Sequence, residues 1–150
     1  MNKKRVAINI HNEYLHFSAA HFTIFSATQR ERLHGHNFAV NAIAEGCVQP
    51  NGLAFDYCEL KKRTAKICDS LDEYTLIAAN SEFLTITEKG HHYAIVFNGE
   101  EMLLLRSDTL LLPISNITLE ELGDYIIQQL IGSDLIDVIE IDHLQIEVSS

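Results

Sequence analysis

An α+β domain, with a largely antiparallel sheet and helices on one face, is the fold class this sequence predicts. Three observations predict it. Residues alternate with strand periodicity in the first third of the chain, two amphipathic helix patterns follow clear capping residues, and a hairpin signal separates the helices.

Val6 to Ile10 and Leu15 to His21 form the first two predicted strands, joined by the polar break His11-Asn12-Glu13. Asn37 to Glu45 is the next, with Phe38, Val40 and Ala42 on one face and Asn37, Ala39, Asn41 and Ile43 on the other. The loop Thr23 to Arg32 between the second and third strands implies an antiparallel pair. Asp56 caps a predicted helix whose third residue is Glu59. Its apolar positions are Leu60, Ala65, Ile67, Cys68 and Leu71. Thr118 with Glu121 makes a capping box for a second helix, which carries the stripe Leu119, Leu122, Ile126, Ile127, Leu130 and Ile131. Packing onto a sheet accounts for both stripes. Between the helices, Tyr93 to Phe97 and Met102 to Leu105 flank Asn98-Gly99, the composition of a type I′ hairpin turn. Thr109 to Pro113 is a further strand or an extended connection, and Leu144 to Val148 is the last strand.

The chain has 150 residues and 47% hydrophobic content, enough for one domain with a substantial core. Its formal net charge is -10, from 21 acidic and 11 basic residues. That balance argues against nucleic acid or an anionic membrane surface as partner, since both are held by basic surface. A small anionic substrate stays possible, because a few local cations or a metal outweigh the global field. No apolar run is long enough to span a bilayer, and the basic start Met1-Asn2-Lys3-Lys4-Arg5 is followed by a stretch too short and polar for a signal peptide, so cytoplasm is the expected location. Cys47, Cys58 and Cys68 are odd in number and show no CxxC spacing, which does not suggest a disulfide framework. Cys68 fits the helix core. Cys58, in the first helical turn, has no base nearby in sequence to make it a nucleophile.

Of eight histidines, His11, His16, His91, His92 and His143 read as ordinary polar residues. His34 and His36 differ. They flank Gly35, and in extended backbone residues two apart share a face about 6–7 Å apart, close enough to converge on one ion. His21 ends the preceding strand, which antiparallel pairing brings alongside. Three neutral nitrogen ligands leave one tetrahedral position open, the pattern of a catalytic zinc site, and no fourth Cys or His at suitable spacing is visible. The bland alternative is a pair of surface histidines on a strand.

The wording around these histidines resembles a known family. Phe17-Ser18-Ala19-Ala20-His21, followed by Leu33-His34-Gly35-His36-Asn37-Phe38, is similar to the paired motifs of the 6-pyruvoyltetrahydropterin and 6-carboxytetrahydropterin synthases. Gly52 to Lys61 resembles that family's entry to its first helix, Leu71-Asp72 stands where it has Leu-Asp-His, and Asn116 to Leu122 resembles the opening of its second helix. The resemblance covers most of the chain except Thr85 to Pro113, a hairpin insertion. It implies the T-fold, a four-stranded antiparallel sheet with two antiparallel helices on one face, in a single domain over residues 1–150. It also implies Zn2+ held by His21, His34 and His36, a pterin substrate such as 7,8-dihydroneopterin triphosphate, lyase chemistry, and a homo-oligomer, commonly a hexamer or other ring, with sites between subunits.

Departures from the family pattern shape the expected chemistry. The loop before the zinc histidines has no cysteine, whereas Arg30-Glu31-Arg32-Leu33-His34-Gly35-His36 resembles a branch that uses glutamate as general base and releases 6-hydroxymethyl-7,8-dihydropterin. Glu31 is therefore the candidate base, suited to that work if desolvation raises its pKa. The competing reading is a loop acid paired with Arg30 or Arg32. Asp72 is the assisting catalytic candidate, but Glu73 replaces the family's histidine, and His91 or His92 of the insertion is the candidate to stand in for it. The glutamate that anchors the pterin near the last strand's end is replaced by serines, and alternation points Glu147 away. Thr118 matches a position near the pterin and is the substrate-binding candidate. Three readings remain: a zinc-dependent pterin lyase of the folate or queuosine type, an enzyme with a substrate shifted by the insertion, and a non-catalytic zinc-containing pterin binder.

Overall fold

A computed structural model describes residues 3–11 and 13–150. The Met1-Asn2 start and Asn12 of the expected polar break lie outside the described residues. Arg5–Ile10 (β1) and His16–His21 (β2) lie end to end along one edge of the long strand His34–Cys47 (β3). Both pair antiparallel with it, β1 against residues 42–47 and β2 against residues 34–39. His143–Ser149 (β9) pairs antiparallel along the other edge, opposite Ala39–Glu45. These are the four antiparallel strands expected. β3 begins three residues earlier than alternation alone indicates, so His34-Gly35-His36 is itself strand.

Asp56 caps Tyr57–Leu71 (α1) by accepting from the backbone N–H groups of Cys58 and Glu59. Thr118 caps Leu119–Gly132 (α2) by accepting from the Glu121 N–H at 3.2 Å. Each satisfies donors that a helix start leaves unpaired. Leu60, Cys68 and Leu71 of α1 and Leu122, Ile126 and Leu130 of α2 bury completely against Phe17, Phe38, Val40, Ala42 and Ala44 of the sheet. A short helix, Leu135–Val138 (α3), leads into β9.

The sheet is larger than four strands. Tyr74–Ala78 (β4) pairs parallel with β2, and Thr109–Leu112 (β8) pairs parallel with β4. β4 escapes sequence reading because it is covered on both sides and so lacks alternation. Leu76 and Ala78 belong to the main core, whereas Ile77 belongs to a second cluster with Phe22, Ile24, Ile95 and Phe97.

That second cluster seats the insertion. Thr85–Lys89 (β5), His92–Phe97 (β6) and Glu100–Leu105 (β7) form a separate three-stranded antiparallel sheet rather than a lone hairpin. The β6–β7 turn is the expected type I′, with Asn98 at φ 47° and Gly99 at φ 80°. No helix among the described residues is long and apolar enough to cross a membrane.

Candidate active site

The β2–β3 register assembles the site. Phe17 stands opposite Phe38, Ala19 opposite His36, and His21 opposite His34. Directly opposed residues share a face, so these side chains all point to the core side. Phe17 and Phe38 stack with centroids 5.0 Å apart. Beyond them the apolar face gives way to three imidazoles, with ring centroids at 4.9 Å (His21–His34), 5.2 Å (His21–His36) and 4.7 Å (His34–His36).

The ring orientations are set from outside the cluster. His21 Nδ1 donates to the Ile117 carbonyl at 3.0 Å, and His34 Nδ1 donates to the Arg32 carbonyl at 2.6 Å. With the proton on Nδ1, the Nε2 lone pair of each ring is free to coordinate, an assignment made from the hydrogen-bond partners. His34 Nε2 and His36 Nε2 lie 2.9 Å apart. One ligand nitrogen from each of the three rings falls within 4.8 Å of the others, the one such metal-capable group among the described residues. His21 Nε2 is also the one buried side-chain polar atom without a partner among them. An unpaired buried nitrogen costs free energy unless something occupies the space it faces. Three imidazole nitrogens, those of His21 and His34 with tautomers set by backbone carbonyls, fit a zinc ion with a position left open. Burial lowers the His21 pKa from its ordinary value. The Ile117 carbonyl opposes that shift, and the His34 and His36 charges add to it, favouring the neutral imidazole that binds metal.

Glu31 meets this cluster. Its Oε2 lies 3.8 Å from His34 Nε2, and its Oε1 accepts from the Thr23 N–H at 3.0 Å. Among the described residues neither Arg30 nor Arg32 pairs with its carboxylate; Arg30 instead donates to the Glu31 carbonyl at 2.8 Å. The expected upward pKa shift is not found. Hydrogen bonding from Thr23 holds the carboxyl below its ordinary value, partial burial pulls the other way, and His34 and His21 add to the lowering. Glu31 is thus ionised at neutral pH, the form that accepts a proton.

The other sequence candidates divide. Thr118 lines the cavity of about 350 Å³ that contains His21, Glu31 and His36, although its hydroxyl already caps α2. Asp72 lies outside that cavity and accepts from the Ser18 N–H at 2.8 Å. Ser18 alternates with Phe17 and Ala19, so its side chain points away from the histidines and bonds Asn37 at 2.6 Å. Glu73 sits at φ 65°, an unusual conformation for a non-glycine residue, with its N–H on the Ser18 carbonyl. His92 begins β6, at the opposite end from Phe97, which packs beside the Glu31 loop. The His91 carbonyl accepts from the Arg106 N–H at 2.8 Å, three residues before Thr109, whose partner Thr75 lies two residues after Glu73. Glu147 points outward as alternation predicted, and its carboxylate accepts from Gln145.

Sequence reading missed three contributors. Thr23 holds Glu31 from eight residues away, and Asn116 pins the same loop by bonding both the N–H and the carbonyl of Ile24. Glu120 lines the cavity, and its sequence signal is that it stands at the glutamate of the family's second-helix opening, which Asn116 to Leu122 resembles. A larger cavity of about 570 Å³ lies between α1 and α2 around Lys66 and Gln129, away from the histidines.

The family model described as 6-pyruvoyl tetrahydropterin synthase matches residues 10–147. A Methanocaldococcus jannaschii protein named as a candidate 6-carboxy-5,6,7,8-tetrahydropterin synthase is 28% identical over 113 residues, 74% of this chain and 68% of that protein. The Plasmodium falciparum 6-pyruvoyl tetrahydropterin synthase structure superposes with a TM-score of 0.89 at 29% identity, covering 99% of this chain and 92% of its own. The Plasmodium vivax enzyme gives 0.89 at 28%, covering 97% and 91%, and two of its structures carry a catalytic glutamate replaced by alanine or cysteine.

Proposed function

The chain belongs to the 6-pyruvoyl tetrahydropterin synthase family, and from that premise we propose that it is a zinc-dependent pterin lyase acting on 7,8-dihydroneopterin triphosphate or a close relative. The observation that carries this reading is the three-histidine cluster, with its unpartnered His21 Nε2 and with Glu31 Oε2 3.8 Å from His34 Nε2. His21, His34 and His36 would hold the ion. Bound there, zinc supplies Lewis-acid polarisation of a substrate oxygen.

Glu31 is the general base, ionised in the free protein and fixed on one oxygen by Thr23, so the other is free to take a substrate proton. Support comes from the Plasmodium vivax relative, whose catalytic residue is a glutamate. Thr118 and Glu120, at the α2 start, face the same cavity and bind the pterin, with Glu120 replacing the missing anchoring carboxylate. Asp72 assists from outside the cavity, as a contributor to a site completed between subunits. Among the described residues β9 pairs on one side only, which supports assembly of identical subunits.

The test is a product assay on zinc-loaded protein with 7,8-dihydroneopterin triphosphate, the pterins being identified by mass spectrometry. A 6-hydroxymethyl product is expected. Glu31→Gln should lower kcat about 10²–10⁴-fold with zinc content unchanged. Full turnover in that variant would remove Glu31 from the base role, and stoichiometric zinc without any product would favour the non-catalytic binder.

A further inference from the structure

In a chain with 21 acidic and 11 basic residues, Arg30 makes no ion pair among the described residues. Its guanidinium lies 4.9 Å from the ring centroid of Phe22 and 5.7 Å from that of Phe97. Both rings are buried in the second core cluster. Phe22 follows His21 directly, whereas Phe97 ends β6 of the inserted sheet. The remaining contact, from Arg30 Nη1 to the Glu31 carbonyl at 2.8 Å, links this stacked cation to the residue facing the cluster.

We infer that Arg30 is a positioning residue for Glu31, and that the inserted sheet holds Arg30 in place through Phe97. Glu31 has four polar groups. Its N–H donates to the Thr23 carbonyl at 2.8 Å, its Oε1 accepts from the Thr23 N–H, and its carbonyl accepts from Arg30. Only Oε2 is left, and it is the oxygen turned toward His34. Clamping three groups fixes where the fourth points, which is how a loop residue acquires the precision that catalytic geometry demands. The cation must be planar. A guanidinium stacks on rings and donates in its own plane at once, whereas a lysine ammonium over the same rings has no fork to reach the carbonyl. The insertion is then a buttress for the base-bearing loop, packed on Phe22, Ile24 and Ile77 beside the site.

The inference concerns the catalytic role proposed for Glu31, but its structural half is tested separately. Amide hydrogen exchange across residues 22–33, zinc content and steady-state kinetics would be measured on R30M, R30K and F97L in the full chain. R30M should raise exchange at the Thr23 and Glu31 amides about five- to thirtyfold, as loss of a desolvated cation–π contact implies. It should lower kcat about tenfold or more, leave KM within about twofold and keep the zinc content. R30K should fall between R30M and the unmodified protein, and F97L should move exchange in the same direction. Unchanged loop exchange in R30M would overturn the inference whatever the activity, as would a loss confined to KM, which would mean that Arg30 meets the substrate. If F97L does not fold, R30M and R30K decide alone. If Glu31→Gln is fully active, the base assignment fails while the exchange result still decides whether Arg30 holds the loop.

Discussion

The inward face of the β2–β3 ladder runs Phe17, Ala19 and His21 against Phe38, His36 and His34, while the outward face runs Ser18 and Ala20 against Asn37 and Gly35. The inward side chains are core at one end and a nitrogen cluster at the other, whereas the outward ones are small or polar. The two sets come from the same backbone and differ only by the strand's period of two. The difference teaches that a motif such as FSAAH-HGHN carries two kinds of information. Its odd or even members define the candidate metal centre, and its remaining members define a second surface, where Asp72 and Glu73 attach through Ser18.

The strongest way to break this comparison is to remove an inward imidazole. Replacing His21 or His36 with alanine should abolish stoichiometric zinc binding, measured by elemental analysis after dialysis. An unchanged metal content would mean that the cluster is not the site. Phe38→Ala, one residue pair deeper on the same face, should cost about 3–5 kcal/mol in urea unfolding, since Phe38 is 1% exposed and stacked on Phe17.

A smaller effect follows from protonation. The pKa of His21 is lowered in the fold by burial, so the unfolded chain binds its proton more readily. The metal-free protein should therefore lose stability as pH falls below the ordinary value of 6.5, and zinc should be released over the same descent because protons compete for the ligands. Denaturant midpoints across that range check the sign, and a midpoint that rises on acidification would contradict it. On the outward face, Asp72→Ala removes one hydrogen bond at an exposed position and should cost about 1 kcal/mol with zinc content unchanged. If zinc were lost as well, the two faces would not be independent.

Much of this was legible in the chain because it depends on local rules. The helix caps at Asp56 and Thr118, the Asn98-Gly99 turn and the antiparallel strands all follow from a few neighbouring residues. The shared face of His34 and His36 follows from strand period, and the loop Thr23 to Arg32, which returns the chain antiparallel, makes the pairing of His21 with His34 foreseeable. β4 was hidden because a strand buried on both sides has no alternation to detect. The three-stranded insertion read as a hairpin because β5 carries mostly exposed, polar residues.

By itself, then, the sequence determined the face on which three imidazoles stand and the family to which their wording belongs, since both are properties of adjacent residues. Tertiary structure alone decided how those groups are aimed. Ile117 orients His21 from 96 positions along the chain, Asn116 pins Ile24 from 92 positions away, and Phe97 reaches Arg30 from a separate sheet. Such contacts depend on where α2 and the insertion come to rest, and that is settled by packing against two cores rather than by any local pattern.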